Sequence, residues 1–163
     1  MSASAKALTR IGFSAAFLAI LSQIALPLPM GVPLTLQTFG ISLCGSLLGK
    51  KQGIAAVAVW LLLGMMGAPV FHGFQGGFAH FLGYTGGFLW GFLALAFLCG
   101  GKSIHWSLLG IALCHIIGII QFMLISGNPF WVSLMQASLP YLLKDIVLTL
   151  GGIRLGKKLK GIL

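Results

Sequence analysis

One acidic side chain, Asp145, occurs in 163 residues, and it directly follows Lys144 inside the apolar stretch PYLLKDIVL. A carboxylate can accept hydrogen bonds or pair with a cation. A single one excludes a paired-carboxylate acid/base site, and a Ser-His-Asp arrangement would have to recruit Asp145 itself. His72, His80, His105 and His115 show no HExxH spacing, and Cys114-His115 alone is a weak metal pattern. Cys44, Cys99 and Cys114 are odd in number, lie in apolar segments and form no CxxC pair, so they read as reduced structural thiols. GSLLGKK at 45–51 lacks both the spacing and the hydroxyl of a phosphate-cradling GxxxxGK[ST] loop. The residues point to binding: no catalytic residue, metal or cofactor is expected, and the chain should not hydrolyse ATP by itself.

The elements that must hold Asp145 follow from composition. With 58% hydrophobic and 7% charged residues, against about 25% charged in a soluble domain, this is an integral membrane protein. Six continuously apolar segments can be drawn, at 11–28, 36–49, 52–70, 84–101, 104–125 and 138–155. Continuous apolarity favours helices over the alternating strands of a barrel. The expected fold is all-α, one six-helix transmembrane domain over residues 1–163. A span needs about 20 residues, so the second segment must be tilted, broken or extended into its loop. The first segment ends in no clear cleavage site and is kept as a span rather than a signal peptide.

The net charge of +9 does not indicate nucleic acid, because the basic residues form no face or stripe. They cluster at segment ends: Lys6 and Arg10, Lys50 and Lys51, Lys102, then Arg154, Lys157, Lys158 and Lys160. The alternate loops, 29–35, 71–83 and 126–137, hold no Lys or Arg. The positive-inside rule then places both termini in the cytoplasm. Lys144 and Asp145 fall in the sixth segment, roughly 9 Å below its outer end. A charge near the bilayer centre costs about 2.5–3.5 kcal/mol, so the pair needs a partner, a ligand or a hydrated pocket. Adjacent helical residues point about 100° apart, which predicts a poor bridge between them and favours a ligand site.

The outer loops supply candidate walls. PLPMGVPLTLQTF brings helix-breaking Pro27, Pro29 and Pro33, with Thr35, Gln37 and Thr38 as hydrogen-bonding groups. GAPVFHGFQGGFAHFLGYTGGFLWG brings Phe71, Phe74, Phe78, Tyr84, Phe88 and Trp90, any of which could instead join an interfacial belt. In the first segment Gly12, Ala15, Ala16 and Ala19 share one helical face. That face permits close approach either within the bundle or by an external partner.

PLTLQTFGISLCGSLLGKKQGIAAVAVWLLLGMMGAPVF, followed by GGF and GYTGGFLWGFLALAFLCG, resembles the BioY family of biotin transporters. These are substrate-capture (S) components of energy-coupling-factor (ECF) transporters. The resemblance spans roughly residues 11–155 and rests on the order and spacing of TLQTF, GxPVF and TGGF. It implies a six-helix S-component bundle in membrane lipid, multi-pass in the cell membrane, with biotin held near the outer face. It implies as partners a membrane coupling protein and two cytoplasmic ATPase subunits. Ala15 and Ala19 match the family's AxxxA docking motif. Pro140, Tyr141 and Asp145 match or nearly match a P-F-x-P-G-D-x-x-K pattern whose aspartate serves the biotin ureido ring. The chain departs from it at Lys144 in place of glycine, at Leu148 in place of lysine, and at Tyr84 where GPTGG has proline. Lys144 is therefore expected to supply the missing cation to the biotin carboxylate. Gln37 or Gln75 would donate to the ureido carbonyl, and the aromatic residues would wall the ring and chain. The expected function is high-affinity capture and uptake of biotin without chemistry on it. An S component for another small vitamin, a non-transporting structural subunit and a membrane hydrolase using Asp145 are the alternatives.

Overall fold

Gly49 turns one apparent helix into two. In the computed structural model, which describes residues 3–26, 32–101 and 103–161, α2 (Gln37–Met65) has non-helical φ 79° and ψ 174° at Gly49. That backbone region is essentially restricted to glycine. The limbs on either side fold back: a Cβ on Gly53 would stand 2.7 Å from Gly45 Cα, residues about 12 Å apart in a continuous helix. The second and third predicted segments are these two limbs.

With α1 (Ala3–Gln23), α4 (Gly86–Cys99), α5 (Ile104–Ser126) and α7 (Leu139–Lys160), the described residues form six long helical limbs, as the sequence predicts. Shorter elements fill the connections. β1 (Ala25–Leu26) pairs antiparallel with β2 (Leu34–Thr35), Ala25 opposite Thr35. A 3₁₀ turn (His72–Phe74) and α3 (Ala79–Leu82) precede α4. Pro27, Pro29 and Lys102 lie outside the described residues.

Three boundaries differ from expectation. α1 starts at Ala3 and ends at Gln23, so Lys6 and Arg10 ride on its first turns. The second limb of α2 stops at Met65, ahead of Gly67 with φ 98°. α7 continues to Lys160 and carries its basic residues on the last turns, where cations suit the negative end of the helix dipole. An unforeseen helix, α6 (Phe130–Ala137), occupies a stretch read as loop. By length and apolarity Ser4–Gln23, Gln37–Met65 and Ile104–Ser126 could each cross a membrane, and Gly86–Cys99 is apolar but shorter. The Gly49 reversal makes α2 two short passes rather than one.

The core between the limbs contains Leu18, Ile41, Val57, Trp60, Phe81 and Leu95, each at most 1% exposed. Large apolar side chains such as Phe13, Leu124 and Leu143 instead point outward, as the surface of a helical bundle in lipid requires. Lys50 and the basic last turns of α7 gather at one end. A Cβ on Gly100 would lie 2.7 Å from Lys50 Cα, so the turn after α4 packs on the Gly49 reversal. The C-terminal half of α7 approaches the same end through Gly156, which abuts Ser46.

α2 and α7 cross closely because small residues face each other. Gly152 and Gly156 on α7 meet Ser42 and Ser46 on α2, both pairs at spacing i, i+4. Ser46 Oγ donates to Gly152 O at 3.4 Å. Tyr141, Asp145, Thr149, Gly152 and Gly156 form the buried face of α7. This crossing sets Thr38, at the first turn of α2, opposite Asp145.

Candidate functional site

Asp145 is 6% exposed and has three hydrogen-bonding partners from three elements. Thr38 Oγ1 donates to its Oδ1 at 2.7 Å from α2. His115 Nε2 on α5 lies 3.2 Å from its Oδ2. Lys144 Nζ lies 2.6 Å from Oδ1. The last contact corrects the expectation that these neighbouring residues would bridge poorly. The 100° divergence describes where side chains leave the helix, and the four-carbon lysine stem is long enough to turn back once Thr38 and His115 hold the carboxylate in place. Lys144 also donates to the backbone oxygen of Thr35 at 3.3 Å. A carboxylate offers about four acceptor positions, so one on Oδ2 is left for a ligand.

The carboxylate faces a cavity of about 660 Å³, its open mouth included, at the end away from Lys50 and the last turns of α7. Phe71, Phe88, Leu89 and Phe92 make its apolar side. Thr35, Gln37, Thr38, Tyr141, Lys144 and Asp145 make its polar side. Tyr141 is anchored by a hydrogen bond to Val32 O, and Thr35 Oγ1 donates to Gln37 Oε1 at 3.1 Å. That bond leaves the Gln37 amide nitrogen as the donor available to a ligand carbonyl.

Of the residues named from sequence, Asp145, Lys144, Gln37, Thr35, Phe71 and Tyr141 converge on this cavity. Gln75, Phe74, Tyr84 and Trp90 do not line it. Phe74 is 73% exposed at the tip of the 3₁₀ turn. Gln75 is exposed, and its carbonyl accepts from Phe71 N in a local bridge. Tyr84 rests on Phe122 at 5.5 Å and Trp90 on Phe81 at 5.0 Å, between ring centroids. Phe88 and Phe92 sit one helical turn apart on the inner face of α4, and Trp90 sits on the other. The small-residue face of α1 also divides. Ala15 is 2% exposed in the core and Ala19 packs against it, whereas Gly12 and Ala16 are exposed.

Sequence reasoning missed His115, His72 and His80. His115 is 5% exposed, and its Nδ1 lies 2.8 Å from Ser138 Oγ at the α6–α7 junction. Its only signal was a histidine inside an apolar segment next to Cys114. His72 and His80 line the cavity, and burial, with His80 second, holds the His72 pKa below its ordinary value.

A charge-poor bundle of six helical limbs, with one buried carboxylate that keeps an acceptor position toward a half-apolar cavity, defines a membrane protein built to hold a small polar-headed solute. Among the described residues no group of three or more His, Cys, Asp or Glu could hold a metal ion. The chain belongs to the BioY family, matching it over residues 1–163. It is 37% identical over 134 residues to a probable biotin transporter BioY of Pyrococcus horikoshii, covering 80% of this chain and 82% of that one. A Rhodobacter capsulatus biotin transporter BioY is 37% identical over 133 residues, covering 73% of this chain and 70% of the relative. A Thermotoga maritima biotin transporter BioY is 45% identical over 93 residues, covering 57% and 54%. The fold matches the crystal structure of an S-component for biotin from an ECF-type ABC transporter, with TM-score 0.88 and 30% identity over 99% of this chain and 95% of that one.

Proposed function

We propose that this chain captures biotin at the outer face of the cell membrane as the substrate-binding subunit of an ECF-type transporter. The observation that carries the reading is Asp145 on the cavity wall with an acceptor position unfilled. Biotin's ureido group has two N–H donors and one carbonyl. The donors suit Asp145, and the Gln37 amide suits the carbonyl. The bicyclic ring and aliphatic chain suit Phe71, Phe88 and Phe92. Likeness to the biotin S-component supports the same assignment.

Energy for uptake comes from partners, a membrane coupling protein and two cytoplasmic ATPase subunits. The coupling protein docks on the exposed face of α1, where Gly12 and Ala16 leave room between Phe13 and Ile20. Ala15 supports that face from within the bundle.

Equilibrium binding to the purified chain, with biotin, thiamine and riboflavin compared, tests the reading. Saturable binding of biotin alone is expected. Preference for either other vitamin would assign the cavity to a different solute, and no saturable ligand would favour a structural subunit.

A further inference from the structure

Biotin brings a carboxylate as well as a ureido ring, and the wall that fits the ring has no charge to spare for it. Lys144 is committed to Asp145 Oδ1 and Thr35 O, so its charge is balanced by the aspartate. A second anion in a partly apolar cavity is costly unless a cation or proton accompanies it. The other ionisable groups lining the cavity are Tyr141, Cys114, His72 and His80. Tyr141 and Cys114 can only lose protons. His72 and His80 alone can gain one.

The local structure holds His72 against the cavity. Gln23 at the end of α1 brackets the 3₁₀ turn, donating from Nε2 to Phe71 O at 3.0 Å and accepting at Oε1 from Phe74 N at 2.9 Å. Gly73 and Phe74 take φ values of 67° and 56°, a left-handed pair that needs such a bracket. His80 is set by Phe71, whose ring meets it edge-on at 5.8 Å. Both imidazoles thus border the same apolar wall.

Resting on the biotin reading above, we infer that His72 and His80 form the carboxylate end of the site, and that biotin binding takes up a proton there. The charged groups that line the cavity together with the pair are Lys144 and Asp145 on α7. His115 on α5 is hydrogen-bonded to Asp145 and Ser138 and does not line the cavity. In the empty cavity, burial and then His80 disfavour charge on His72. An entering carboxylate favours it. Affinity therefore rises as pH falls toward the imidazole range, about 6.5.

The test compares biotin with its carboxamide, which keeps the ureido ring and chain but lacks the charge. Kd for each is measured on the purified full chain between about pH 8 and about pH 6. Biotin stays ionised there, since a free carboxyl titrates near about 4.3. Expected is a roughly five- to tenfold gain in biotin affinity as pH falls, against less than about twofold for the carboxamide. In His72→Gln/His80→Gln the biotin profile should flatten to that of the carboxamide. A slope shared by acid and amide in the wild-type chain, which needs no variant to fold, would locate the titration at the ureido end and overturn the inference. Unchanged biotin affinity in the double variant would also overturn it. If neither ligand saturates the wild-type chain, the biotin reading itself fails and takes this one with it.

Discussion

His115 Nε2 lies 3.2 Å from Asp145 Oδ2, while His115 Nδ1 lies 2.8 Å from Ser138 Oγ. A carboxylate paired with Lys144 only accepts, so Nε2 donates to it, while Nδ1 is hydrogen-bonded to the serine hydroxyl. This ordered chain aims the remaining Oδ2 position at the cavity. His115→Ala should weaken biotin binding by about 1.5–3 kcal/mol, the range for a hydrogen bond to a charged group, or roughly 10- to 150-fold. His115→Gln, whose amide nitrogen can stand where Nε2 does, should recover part of it. In an Asp145→Asn background His115→Ala should cost little more, because the histidine acts through the aspartate. Equal losses in both backgrounds would mean that His115 only fills space.

Lys144 bridges Asp145, and Leu148 stands three residues after the aspartate, where the resemblance to the family pattern expects a lysine. Positions i and i+3 share a helical face. Lys144→Ala leaves a buried carboxylate without its cation and should lower stability by about 3 kcal/mol or somewhat less, since lysine keeps some water contact. Lys144→Ala/Leu148→Lys should restore much of both the melting temperature and biotin affinity. A double variant no better than the single would show that the cation must also hold Thr35 O.

The parts of this molecule legible in the sequence are those written in long apolar runs. Six segments became six limbs, and Asp145 stood out because charge is scarce. What stayed hidden depends on directions that spacing alone leaves open. Trp90 and Phe92 are two residues apart on α4, yet only Phe92 lines the cavity. Ala15 and Ala16 are neighbours on α1, yet one is core and the other exposed. The reversal at Gly49 was readable as a break between two apolar runs, but its tightness was not. The histidines were invisible because a lone imidazole in an apolar context carries no pattern.

Gly49 gives a clean test of that reversal. A Cβ there meets nothing within 4 Å, so substitution strains only the backbone. Gly49→Ala should cost about 1–3 kcal/mol. Gly49→Asn should do no better, because the asparagine advantage applies near ψ 45° and Gly49 has ψ 174°. Gly49 is at the basic end, remote from the cavity, so biotin Kd of the folded protein should stay the same while the melting temperature falls.

Two neighbouring glycines on α7 should behave oppositely. A Cβ on Gly152 would come within 2.6 Å of Phe39 O, closer still to Ser42 Oγ, whereas one on Gly151 would sit 3.8 Å from the Phe39 ring. Gly152→Ala must push α7 away from α2, at about 1–3 kcal/mol for overpacking. The Thr38–Asp145 hydrogen bond of 2.7 Å spans the same crossing, so the shift also loosens the carboxylate and biotin affinity falls with stability. Gly151→Ala makes an ordinary contact and replaces the weaker helix former, so it should be neutral or stabilising by up to about 1 kcal/mol. Melting temperature and biotin Kd measured on both variants decide the matter. Equal behaviour of the two would mean that the α2–α7 crossing does not set the geometry of Asp145. A Gly152 variant that loses stability but keeps its biotin affinity would separate the packing of the crossing from the site it supports.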